Sequence, residues 1–176
     1  MNRRIVRRQN LFLCVVLLTV AIATAQTQDP AMIQARVDEI VNTTLHDGEF
    51  VVNGVRAVQS IPPSKEALAA IQTLGEAAIP ALSKHLDAQD PREQQLAVRL
   101  IGVIGGSKIV APLSHAIHTS HFRVTRMIAL DFITSAPNTD FLPVVRFALN
   151  DQDALVRKKA TGILKSCCPQ ELRPSN

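Results

Sequence analysis

Apolar residues recur between positions 79 and 167 in a unit written three times. Ile79, Leu82 and Leu86 return as Val110, Leu113 and Ile117, and again as Leu142, Val145 and Leu149. Each triplet is spaced i, i+3, i+7, which aligns three apolar side chains on one stripe of a short helix. A second stripe follows each one. Ala97, Leu100, Ile101 and Ile104 return as Ala129, Phe132, Ile133 and Ala136, then as Ala160, Ile163, Leu164 and Cys167. A period of about 31 to 32 residues made of two short amphipathic helices predicts an α-solenoid. Upstream, Ile33, Val37, Ile40 and Val41 predict a helix over residues 31–45. Residues 49–52 and 55–58 are β-branched runs flanking Asn53-Gly54, a dipeptide whose tolerance of positive φ suits a hairpin turn. The hairpin is expected to cap the open apolar end of the stack.

The breaks between stripes repeat as well. The second helix of each unit is expected to open after Asp90-Pro91, Ser120 or Asp153, and to stop at Gly105-Gly106, Pro137 or Pro169. Ser64 should cap a helix over about 65–73 that ends at Gly75 and pairs with the helix beginning Ile79-Pro80. The repeated alanines mark close helix approaches. Prolines 80, 112 and 143 stand equally far before those alanines, whereas the triplets differ by one residue in the middle unit. Burial fixes helix phase more strongly than one proline, so the extra residue belongs in the turn around His118 to His121.

These features resemble the HEAT repeats, particularly the short bacterial kind. The likeness rests on Ile79-Pro80-Ala81-Leu82, on the turn Asp151-Gln152-Asp153 and on Val156-Arg157-x-x-Ala160, and it covers roughly half the chain. The Val-Arg pair reads Glu93-Gln94 in the first unit and Thr125-Arg126 in the second, so the first lacks the usual arginine. The resemblance implies an all-α superhelix, here of about three and a half helical hairpins over residues 64–168. Residues 26–63 form an N-terminal helix and hairpin cap, and 169–176 a disordered tail. The resemblance further implies that the helices starting at Ile79, Val110 and Leu142 line the concave, partner-binding face. Their outward pairs are Ser83-Lys84, Ser114-His115 and Arg146-Phe147.

Composition alters this picture mainly at the N-terminus. Arg3, Arg4, Arg7 and Arg8 precede an apolar run from Leu11 to Ile22, and Ala23-Thr24-Ala25 fits a cleavage site. Residues 1–25 are therefore expected to be an export signal, with a retained anchor as the alternative because Leu11 to Ala25 could span a thin bilayer. Cleavage would leave a periplasmic or extracellular protein with no membrane attachment. The chain has 19 Lys and Arg against 15 Asp and Glu, and losing the four arginines of the head leaves 15 of each. With no Trp and no Tyr, that neutral chain lacks the basic stripe and stacking aromatics of a nucleic-acid binder.

Candidate chemistry is sparse. His115 and His118 share a helix face at metal-ligand spacing, but no Cys or acid close in sequence completes a site with His121. Gly105-Gly106-Ser107 lacks the preceding strand and following Lys of a phosphate loop. Asp38 and Glu39, adjacent on a helix, point in different directions. Cys167 takes the core slot held by Ile104 and Ala136, while Cys168 is open to an intermolecular bridge. No catalytic, metal or cofactor site is expected. The function expected is that of a non-enzymatic scaffold binding another protein through Lys84, His115, Arg146 and Phe147, with Phe147 central. The alternative, allowed by the resemblance, is a chromophore-handling enzyme of the HEAT-like lyase type.

Overall fold

The computed structural model describes residues 29–47, 49–52, 55–58, 62–136 and 140–172. It divides into two compact units, Met1–Met32 and Ile33–Asn176. The predicted export segment and the Asn53-Gly54 turn lie outside the described residues.

The fold class is all-α. The helices are α1 (Pro30–Asp47), α2 (Lys65–Leu74), α3 (Ile79–Lys84), α4 (Pro91–Ile104), α5 (Val110–Thr119), α6 (Arg123–Ile133), α7 (Leu142–Ala148) and α8 (Ala154–Cys167). Two short strands, β1 (Glu49–Val52) and β2 (Val55–Val58), pair antiparallel between α1 and α2, with Glu49 opposite Val58 and Val52 opposite Val55. Local chemistry sets the helix ends. Ser64 Oγ accepts from the Ala67 amide, Asp90 Oδ1 from Arg92 and Asp153 Oδ1 from Leu155, relieving donors that the first helical turn leaves unpaired. Gly105 and Gly106 adopt φ of 71° and 78°, which ends α4 in a conformation costly for any side chain with a Cβ.

Burial follows the apolar triplets in part, since Val110, Leu142 and Leu149 are only half-buried. Leu82, Leu113 and Val145 have no exposure. The residues four places earlier (Ala78, Ile109, Phe141) and one place earlier (Ala81, Pro112, Val144) are also buried. In α1 the same positions around Val41 are buried, at Val37 and Ile40. The second helices keep a register of their own, in which Ala97, Ala129 and Ala160 are each seven residues past the N-cap and have no exposure. The interval from Leu113 to its next N-cap, Phe122, is one residue longer than from Leu82 to Asp90 or Val145 to Asp153, and the surplus falls in the turn after α5.

Contacts order the helices into two rows. In one, α2 lies against α4, α4 against α6 and α6 against α8; in the other, α5 meets both the turn after α3 and α7. Helix α2 was expected to pair with α3, but its main helical neighbour is α4. The reason lies in Ala67 and Ile71, whose buried stripe belongs to the row of second helices. Rows of second helices approach closely: a Cβ added at Gly102 in α4 would stand 2.2 Å from the ring of Phe132 in α6.

Three further expectations are corrected. Helix α6 opens at Arg123 with Phe122 as N-cap, and Ser120 instead accepts from the Phe122 amide while donating to Gln94 Oε1 at 2.6 Å. Cys167 is exposed and Cys168 is buried, and neither is in a disulfide. The backbone leaves the helix at Cys168 (φ −149°, ψ 61°), and this break turns the second thiol inward. The expected disordered tail is ordered at its start, where Pro169–Leu172 form a 3-10 turn, and residues 173–176 lie outside the described residues.

Candidate functional site

The four residues singled out as a binding strip sit on α3, α5 and α7, and all are exposed: Lys84, His115, Arg146 and Phe147. Counted from the buried Leu82, Leu113 and Val145, the residues two places later are Lys84, His115 and Phe147. Those five places later are Asp87, His118 and Asn150. All six point outward because the stripe between them points in. The fifth-place residue of one helix reaches the second-place residue of the next. Asp87 Oδ1 is 2.7 Å from His115 Nε2. The rings of His118 and Phe147 stack with centroids 4.0 Å apart, tilted by 35°. Phe147 nevertheless keeps 47% of its surface exposed. The structure thus joins His115 to Asp87 and Phe147 to His118, while no contact links Lys84 to His115 directly. Asp87 and His118 were missed as members because they lie a turn beyond the positions between the buried apolar residues.

A second polar cluster was not foreseen. His85 falls three places after Leu82, where the later units carry the fully buried Ala116 and Ala148. Its side chain is only 13% exposed, with Nε2 3.0 Å from Asp38 Oδ1 of α1 and Nδ1 2.7 Å from Glu93 Oε1 of α4. Gln34 Nε2 donates to the same Asp38 oxygen at 2.6 Å. A carboxylate thus stands at each ring nitrogen, and the arrangement is a polar clamp that ties α1 to α4 through the turn after α3. The signal was available in part. Asp38 and Glu39 diverge on α1, as expected, but Asp38 converges on a histidine 47 residues away rather than on another acid.

Among the described residues no group of three or more His, Cys, Asp and Glu is placed to hold a metal ion. No described helix is long and apolar enough to cross a membrane. No family model, curated protein or solved structure matches this chain.

Proposed function

We propose that the chain is an exported, non-enzymatic module that binds another protein through the outward strip on α3, α5 and α7. The helices from α1 onward are read as an α-solenoid of four pairs rather than three and a half. The recurrence of one burial pattern in α1, α3, α5 and α7 supports that count. On this reading the strand pair between α1 and α2 covers the first pair's apolar end. The N-terminal arginines, apolar run and Ala23-Thr24-Ala25 supply export, and an intact mass beginning at Gln26 checks it.

The observation that carries the binding proposal is the half-exposed Phe147. An aromatic of that exposure is stabilised poorly by water and well by a partner, and its rigid ring, held against His118, loses little entropy on docking. A photo-crosslinking residue placed at 147 should capture a defined protein from the native exported fraction, and one placed at Gly162 on α8 should not. Replacing Arg146 and Phe147 together by alanine should weaken capture at least tenfold, or about 1.4 kcal/mol. Helical circular dichroism and Tm should stay unchanged. Equal capture by the double variant would remove the strip as the binding site.

A further inference from the structure

The turns ahead of α4, α6 and α8 are joined by a ladder whose last rung is incomplete. Gln94, Arg126 and Arg157 each lie four residues past the N-cap of their helix, and Ala88, Ser120 and Asp151 each lie two residues before it. Every rung first grips its own turn. Gln94 Nε2 donates to the Ala88 carbonyl at 2.8 Å, Arg126 Nη1 to the Ser120 carbonyl at 2.8 Å and Arg157 Nη1 to the Asp151 carbonyl at 2.7 Å. The first two rungs then reach the next turn. Gln94 Oε1 accepts from Ser120 Oγ, and Arg126 places Nε and Nη2 on the two oxygens of Asp151, both at 2.8 Å. That fork is 5% exposed on each side.

Arg157 repeats Arg126 up to this point and then stops. Its Nη1 also donates to the Gln152 carbonyl at 3.0 Å, so the head is held at two points. Its Nε and Nη2 edge meets no acceptor among the described residues, and the residue is exposed. We infer that this edge of Arg157 is a docking point for an aspartate or glutamate presented by a partner protein, in the way Asp151 is presented to Arg126. Two carbonyl bonds already fix the guanidinium, so a carboxylate can engage both nitrogens with little further ordering of the side chain. The surroundings favour an acidic partner with an apolar neighbour, because Leu155 is 48% exposed and Lys158 is exposed one residue beyond Arg157. A second copy stacking end to end fits less well. The chain's first turns carry Pro62 and Ala88 at the place of Asp151, and neither has a carboxylate. The inference rests on the ladder alone and is independent of the strip around Phe147.

The test follows the side-chain Nε–Hε signal of Arg157 in a 15N correlation spectrum of the full chain, assigned by its loss in Arg157→Lys. The probe is a peptide copying residues 149–157, and a second peptide with Asp151 and Asp153 both changed to Asn is the control. A saturable shift of Arg157 with the acidic peptide, at least tenfold weaker with the control peptide and with the Arg157→Lys protein followed through neighbouring amides, is the expected result. Equal, non-saturating shifts at Arg157 and Arg146 would reduce the effect to general charge screening and overturn the inference. Tight saturation by inorganic phosphate with none by the peptide would overturn it in favour of a phosphate ligand. A concentration-dependent dimer abolished by Arg157→Lys would replace the acidic partner with a second copy.

Discussion

Single residues carry the tightest constraints where second helices cross. Gly102 permits the Phe132 ring to lie against the α4 backbone, and the atoms a Cβ would strike are the ring carbons nearest the α6 backbone. A ring held at its root cannot swing clear as the tip of a long chain could, so Gly102→Ala should cost about 1–3 kcal/mol despite alanine's better helix propensity. A rise in Tm would show that α4 and α6 can separate freely. Asp90 tests a different physics. The Arg92 guanidinium hydrogen-bonded to it holds its carboxyl below the usual carboxylate range, against burial that pushes it up. A depressed folded-state pKa contributes stability that is fully present above the unfolded value of about 3.8 and is lost as pH falls through the lower folded value. Asp90→Asn keeps a capping side chain but removes the charge, so it should cost about 0.2–1 kcal/mol at neutral pH. Urea titrations should show that deficit shrinking toward zero only as pH drops below the unfolded value; an unchanged deficit there would mean that Arg92 does not matter.

At the scale of elements, the clamp on His85 is a side-chain link between α1 and α4 through the turn after α3. His85→Ala leaves a residue of the size found at Ala116 and Ala148, so packing tolerates it while Asp38 and Glu93 lose their shared partner. The expected loss is about 1–2 kcal/mol. Amide exchange should quicken in α1 before α6, and uniform acceleration across all helices would mean that the clamp is not a local fastener. Helix phase was legible in the sequence because burial acts on every turn: the positions of Leu82, Leu113 and Val145 predict the buried set of each first helix. The capping side chains of Ser64, Asp90 and Asp153 were legible for the same local reason. The partner of α2, the clamp on His85 and the thiol that turns inward were not. Each depends on which distant element arrives, and short-range spacing carries no record of that. The proposed strip was legible only as outward positions. The pairing of Asp87 with His115, and of His118 with Phe147, needs the offset between neighbouring helices.

For the whole molecule, what matters is whether stability is shared among neighbours or held by one indivisible core. The buried residues from Ile33 to Leu164 form one continuous cluster, which by itself fits either case. The neighbour order decides the expectation, since helix contacts run mainly to chain neighbours and to the adjacent member of each row. In an array of that kind stability is close to a sum of unit and interface contributions, so removing an end subtracts its share and leaves the remainder folded. A chain lacking residues 137–176 loses α7 and α8, the contact of α5 with α7 and the contact of α6 with α8. It keeps α1 to α6, the His85 clamp and the rung from Gln94 to Ser120, while Arg126 loses Asp151 and becomes the open rung. The shortened chain should therefore keep a mean residue helicity close to that of the full chain and melt in one cooperative transition at lower Tm. Loss of the helical signal, or a broad non-cooperative melt, would mean that the core is indivisible and that the array reading is wrong. If the shortened chain does fold, its Arg126 becomes a second test of the carboxylate inference. Its Nε–Hε signal should then respond to the acidic peptide as Arg157 does in the full chain, because each arginine donates through Nη1 to the carbonyl at the same place in its own turn.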